Sequence, residues 1–261
     1  MNDKSTVEQE VAEIFYPQRK LRRSIYLLPS LLTVGNMFAG FFALVATLNG
    51  HYQSAAIAIG IAVVLDGLDG RVARMANATS AFGLQLDSLA DVISFGISPA
   101  LLIYAWGFTD LGNFARFSAF LFLICGAMRL ARFNIQTKNL KSFAGLPIPA
   151  GAGYVAATVH FFGDPIDSSL FQFYLVAMTY VLSLLMVSTI RYPALKQLNL
   201  GRGKSHLTIL ALAFIVAGVF FFSEQVLMAI AAVYVSSGLV LKGAQLLRRR
   251  AQEPSRVSAP R

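Results

Sequence analysis

The sequence predicts an all-α protein that crosses a membrane about eight times. Three observations carry that prediction. Of 261 residues, 56% are hydrophobic, and the mean hydropathy is +0.61. Only 13% are charged, about half the share of a soluble domain. The basic residues gather between apolar runs, each close to the ~20 residues that cross ~30 Å of hydrocarbon. A large soluble helical protein would need polar helix faces, which these runs lack. The net charge of +9 would point to nucleic acid in a soluble protein. Here the basic residues fall where cytoplasmic loops are expected, so no nucleic-acid partner is expected. One cysteine, Cys125, excludes an internal disulfide, and its apolar setting reads as packing.

Residues 1–28 are polar, then basic. Val7, Val11, Ile14 and Phe15 recur at helical spacing and predict a short surface helix that Pro17 ends. Arg19, Lys20, Arg22 and Arg23 follow, suited to anionic headgroups or to a plain topology signal. The polar, acidic N-terminus lacks the apolar run of a cleavable signal peptide, so the first span is expected to direct insertion. The apolar runs lie near 31–48, 53–75, 82–108, 113–134, 147–162, 170–189, 206–222 and 226–246. The expected organisation is a cytoplasmic segment over 1–28, a catalytic membrane core over 29–190, two additional spans over 191–247, and a disordered basic tail over 248–261. The last two spans carry no charge pair at membrane depth and read as scaffold.

The segments 1–30, 71–80, 129–142, 189–206 and 242–261 hold 21 of the 22 Lys and Arg. The turns between them hold none, and Arg116 is the exception. The positive-inside rule therefore places both termini, and the connection from 66 to 91, in the cytoplasm. An even number of crossings returns the chain to the side where it began.

That connection holds four of the 13 acidic residues. Asp66 and Asp69 are three apart, and Asp87 and Asp91 four apart, so each pair shares one helix face. Clustered carboxylates beside a bilayer are expensive, and a bound cation is the first explanation. Oxygen-only ligands favour Mg²⁺ or Mn²⁺ over Zn²⁺, since no His or Cys is near. Four carboxylates can hold two such ions, which together stabilise attacking and leaving oxygens in displacement at phosphorus. Gly70 and Gly83 give room for helices, or a phosphate, to approach. Arg74 could grip a diphosphate. The alternative is an ion-paired helix junction, in which Arg71 and Arg74 neutralise two of the four aspartates. His51, His160 and His206 have no metal-ligand spacing, and no Ser/His/Asp triad, P-loop or nucleic-acid module is found.

Asp66-x2-Asp69-Gly70-x2-Ala73-Arg74-x8-Gly83-x3-Asp87-x3-Asp91 resembles the signature of the CDP-alcohol phosphotransferase family at every fixed position. Pro29-x3-Thr33-x2-Asn36 is similar to an upstream element of that family. The resemblance covers about 29–190 and implies a six-helix core. It implies transfer of a phosphatidyl or related group from a CDP-linked donor to an alcohol, with release of CMP. It makes Asp66, Asp69, Asp87 and Asp91 ligands of two divalent cations, Mg²⁺ or Mn²⁺, and Asp91 the general base. It places Ser30, Thr33, Asn36, Gly70, Arg74, Ser80 and Gly83 around the CDP part of CDP-diacylglycerol. It also implies a homodimer.

Two further stretches bear on the acceptor. Arg129-Leu-Ala-Arg132-Phe-Asn134 closes the fourth run, and Phe143-Ala-Gly145-Leu-Pro147-Ile-Pro149-Ala-Gly151 opens the fifth. Both are similar to the phosphatidylserine synthase branch of the family. By that resemblance Arg129, Arg132 and Asn134 are candidates for binding L-serine, and an arginine fits its carboxylate with bidentate geometry. Read without the resemblance, both arginines mark a cytoplasmic boundary. The expected setting is the inner membrane, with CDP-diacylglycerol, L-serine and membrane lipids as partners. Competing readings are another acceptor, such as glycerol 3-phosphate or inositol phosphate, and a divalent-cation transporter, which would carry its aspartates at the bilayer midplane.

Overall fold

A computed structural model describes residues 24–75, 81–108, 111–135, 145–190, 192 and 222–252. The N-terminal surface helix, the basic cluster after it, Ser80 and residues 253–261 lie outside these residues; the tail expected over 248–261 is helical at its start, where the last helix continues to Gln252. So does the run at 206–222 apart from Phe222.

Among the described residues all regular structure is helical. The helices are α1 (Ser24–Leu48), α2 (Tyr52–Met75), α3 (Ala81–Asp91), a π-helical turn (Val92–Ile97), α4 (Ser98–Gly107), α5 (Gly112–Ile135), α6 (Ile148–Phe162), α7 (Ser169–Val187) and α8 (Ser223–Gln252). Five stretches are long and apolar enough to span a bilayer: Ser30–Leu48, Phe82–Gly107, Gly112–Ile135, Ser169–Val187 and Ser223–Gly243. The chain is thus an all-α polytopic membrane protein. α6, with 15 residues, is short for a crossing. α2 has the length, but Asp66, Asp69, Arg71 and Arg74 crowd its last ten residues. α1 begins seven residues before the expected run, because Ile25 to Leu28 are apolar and continue it.

Small residues set the packing. Ala39, Ala43 and Ala46 of α1, and Ala55, Ala56, Ala58 and Ala62 of α2, are buried where these helices pair. Lipid gives apolar side chains no reason to leave it, so close backbone approach is what joins helices there. Larger α1 side chains, Leu31, Phe38, Phe41 and Leu48 among them, point outward. α1 also packs on α3, the π turn and α4, α5 packs on α7, and α6 lies between α2 and α8.

The π turn has a local cause. Pro99 has no N–H, so the helix cannot continue with regular bonding past it. Instead the Ser98 N–H reaches back five residues to the Ile93 carbonyl, and the Ser98 hydroxyl donates to the same oxygen at 2.7 Å. Two serines then tie this turn to α1. Ser94 Oγ donates to the Asn36 carbonyl and Ser98 Oγ to the Gly40 carbonyl, each at 2.9 Å. Gly40 makes this crossing possible: a Cβ there would stand 2.7 Å from Ser94 Cα and 2.9 Å from its Cβ.

The Gly145–Gly151 stretch fastens α6 to the end of α7. The Gly145 N–H donates to the Ile190 carbonyl at 2.8 Å and the Leu146 N–H to the Leu185 carbonyl at 2.9 Å. Pro147 precedes the first turn of α6. Gly145 sits at φ +88°, and a Cβ on it would collide with the Met186 carbonyl oxygen. Gly145→Ala is expected to cost about 2 kcal/mol or more. Its melting temperature in detergent is expected to fall by several degrees relative to wild type, whereas Gly60→Ala, on an open helix face, should leave it unchanged.

At the helix ends remote from the aspartates, Trp106 Nε1 donates to the Gly163 carbonyl at 2.9 Å. Trp106 is 1% exposed, so it is a buried tie between α4 and the end of α6. His160 bonds Gln53 Oε1 at 2.9 Å through Nδ1 and Ser223 Oγ at 3.0 Å through Nε2. These contacts hold the start of α8 against α2 and α6.

Candidate active site and metal centre

Four helices meet around the aspartates. α2 supplies Asp66 and Asp69, α3 supplies Asp87 and Asp91, α1 supplies Thr33 and Asn36, and α5 supplies Arg129. Carboxylate oxygens of Asp66, Asp87 and Asp91 lie within 4.8 Å of one another. The i, i+4 spacing on α3 turns Asp87 and Asp91 toward α2, as the sequence predicts. Asp69 stands slightly apart. It remains within electrostatic reach of Asp66 and Asp87, while Thr33 Oγ1 donates to its Oδ2.

Several polar atoms here are buried without a hydrogen-bond partner: Asp91 Oδ1, Asn36 Oδ1 and Nδ2, and Arg129 Nε. Asn36 is only 1% exposed and lies beside Asp91. Buried polar groups are normally satisfied, so such a group of exceptions calls for an ion or a substrate. The donors fit a divalent cation. Three convergent carboxylates, a fourth in electrostatic range and a neutral amide oxygen make a hard, oxygen-only set with the charge to hold Mg²⁺ or Mn²⁺. Arg129 lies in the field of Asp66 and Asp91. One arginine cannot balance three or four carboxylates, so a plain ion-paired junction would leave net negative charge buried.

The other expected site residues divide. Thr33 lines the α1 side through its bond to Asp69, and Ser30, Gly70 and Gly83 are half-buried on α1, α2 and α3. Gly83, Asp87 and Asp91 share one face at steps of four. The Arg74 side chain and Ser80 lie outside what is described. Of the three residues expected at the acceptor, Arg129 alone faces the aspartates. Arg132 Nη1 donates to the Val187 carbonyl at 3.1 Å, satisfying an orphan carbonyl at the end of α7. Asn134 Nδ2 donates to Ser88 Oγ at 2.9 Å, bracing α5 against α3. Sequence reasoning missed Ser94 and Ser98 of the π turn, whose hydroxyls hold α1, and with it Thr33 and Asn36, against the helix that follows Asp91. They sit in an apolar run, and no spacing rule connects them to α1.

An α-helical membrane fold with carboxylates gathered between α2 and α3 defines a polytopic membrane protein with a candidate divalent-cation site. Residues 26–186 match the family model described as CDP-alcohol phosphatidyltransferase, and the chain belongs to that family. It is similar to a CDP-diacylglycerol–serine O-phosphatidyltransferase of Helicobacter pylori, 40% identical over 182 residues, which are 67% of this chain and 75% of that one. A Bacillus subtilis protein of the same name is 36% identical over 170 residues, 65% of this chain and 92% of the other. An archaetidylserine synthase of Methanothermobacter thermautotrophicus is 37% identical over 172 residues, 65% and 71% of the two chains. α8 lies beyond the family match.

Proposed function

We propose that the protein transfers the phosphatidyl group of CDP-diacylglycerol to the hydroxyl of L-serine, giving phosphatidylserine and CMP. The observation that carries this reading is the convergence of Asp66, Asp87 and Asp91 beside Asn36 and Arg129. The similarity to proteins named for serine transfer selects the acceptor. Catalysis belongs to 29–190, with the site and both termini on the cytoplasmic side of the inner membrane, as the basic segments favour. A homodimer is the form that the family resemblance implies. A cation transporter would want its carboxylates at mid-membrane, whereas Asp66 and Asp69 lie among the last ten residues of α2.

Asp66, Asp87 and Asp91, with Asp69 beside them, would hold two divalent cations, Mg²⁺ or Mn²⁺. When bound, these supply positive charge to the diphosphate and to the departing CMP oxygen. The chain's own residues do the rest. Thr33 fixes Asp69 by donating to it, and Asn36 presents an amide to the same pocket. The family resemblance assigns Ser30, Gly70, Arg74, Ser80 and Gly83 to the CDP side, where glycine permits close approach and arginine offers a fork to phosphate. Arg129 takes the serine carboxylate. Arg132 and Asn134 hold the helix ends that frame it. Asp91 accepts the hydroxyl proton as the serine oxygen bonds to the lipid-linked phosphorus, and the bond from that phosphorus to CMP breaks, its electron pair leaving on CMP.

Purified protein with CDP-diacylglycerol and serine is expected to release CMP only with Mg²⁺ or Mn²⁺ present. Chelation with EDTA should lower the rate by about 100-fold or more, and added cation should restore it. Equal CMP release with glycerol 3-phosphate or inositol phosphate would overturn the acceptor assignment. Release undiminished by chelation would overturn the metal assignment.

A further inference from the structure

Arg116 is the one basic residue outside the cytoplasmic segments, and the active site does not use it. It is the fifth residue of α5 and is exposed, at the helix ends remote from the aspartates. A cation on that side runs against the positive-inside rule. Its Nη1 donates to Asn113 Oδ1 at 3.0 Å, one turn back on the same helix. That bond engages one of the five N–H donors that a guanidinium carries.

A groove of about 320 Å³ runs from Arg116 between α4 and α5. Ile97, Ala100 and Tyr104 line one wall, and Arg116, Ala119 and Leu123 the other. Their three- and four-residue steps keep each set on one helix face. Ala100 and Ala119 stand at mid-length, and their small side chains leave the space. The polar side chains, Tyr104 and Arg116, lie at the outer end, and everything deeper is apolar. From Arg116 to Leu123 the helix rises about 10 Å, at ~1.5 Å per residue. Half of a ~30 Å hydrocarbon core is ~15 Å, so the groove stays within one leaflet. Phe117 and Phe120, on the same stretch of α5, are 55% and 57% exposed, as on a surface that meets lipid. A cleft facing acyl chains takes one in, because a void forfeits contacts on every side. A chain gains little by leaving other lipid for the groove, so selection falls on the head. There a guanidinium takes phosphate oxygens through paired N–H bonds.

We propose that the groove between α4 and α5 binds an anionic glycerophospholipid of the leaflet opposite the active site. Its phosphate sits on Arg116, and one acyl chain lies past Ala119 and Ala100 toward Ile97 and Leu123. The inference does not depend on which acceptor the active site uses. To test it, full-length protein in nonionic detergent is titrated with dioleoyl phosphatidylglycerol while melting is followed. Wild type is expected to gain about five degrees at saturation, because a ligand stabilises the state that binds it. Dioleoyl phosphatidylcholine should give less than half that gain, since its ammonium offsets the phosphate charge, and inorganic phosphate should give none. Arg116→Gln should need about tenfold more phosphatidylglycerol for the same gain, the scale of one hydrogen bond to a charged group. Arg116→Lys should fall between the two. Ala119→Phe fills the groove, keeps the charge and should abolish the gain. CMP release at saturating substrates should stay within about twofold of wild type in each variant, which marks an intact fold. An equal response in Arg116→Gln and wild type overturns the inference, and it decides the matter even where Ala119→Phe does not accumulate. So does an equal gain with phosphatidylcholine, or a gain from inorganic phosphate alone. A change in molecular mass by light scattering on Ala119→Phe would assign the groove to a second copy of the chain and overturn the lipid.

Discussion

Asp91→Asn is expected to lower the rate of CMP release by about a thousandfold and to leave the protein at least as heat-stable as wild type without added cation. The two effects have one cause. Asp91 is 8% exposed, and one of its oxygens has no partner. It shares a small space with the carboxylates of Asp66 and Asp87. Removing one negative charge from such a set relieves repulsion and desolvation, both of which oppose folding. The same change removes a ligand and the group that takes the acceptor proton, a loss on the scale of general-base catalysis or larger. Turnover measured as CMP, and melting followed with and without Mg²⁺, check the pair. Added Mg²⁺ should raise the melting temperature of wild type more than that of the variant, because a ligand stabilises the state that binds it. Full turnover by Asp91→Asn with metal present would remove the base assignment.

Gly40→Val is expected to be as damaging, without touching any candidate ligand. The valine Cβ would press on the backbone and side chain of Ser94, and α1 would have to move off the π turn. Overpacking alone costs about 1–3 kcal/mol. Here it would also part the Ser94 and Ser98 hydroxyls from their α1 carbonyls. Thr33 and Asn36 ride on α1, so Asp69 would lose its donor and Asp91 its amide neighbour. We expect a melting temperature lower by about ten degrees or failure to accumulate, and turnover reduced about a hundredfold in whatever folds. Gly40→Ala should fall between this variant and wild type. A fully active, normally stable Gly40→Val would mean that the α1 crossing does not set the site.

Run lengths and charge placement made the membrane fold legible in the sequence, because bilayer thickness is a strict ruler. The aspartates were legible because three- and four-residue spacings aim side chains along one helix face. The sequence did not reveal that Asp69 would bond Thr33 while the other three gather, since that depends on how far α1 sits from α2. Arg129 and Arg132 look alike as residues at a helix end. Three positions are close to a full turn but not equal to one, and the difference sends one toward the aspartates and the other to the Val187 carbonyl. The π turn left only traces in sequence, Gly96 and Pro99, and neither specifies a wider helix by itself.

The serine ladder between α1 and the π turn also bears on motion. Hydroxyl-to-carbonyl bonds four residues apart on both partners cannot be exchanged for water inside a bilayer, so sliding these helices past each other would strand buried polar atoms. α1 and the aspartate-bearing helix must therefore travel as one piece during turnover. Any breathing that admits an amino acid and lets a nucleotide go has to come from elements outside this pair.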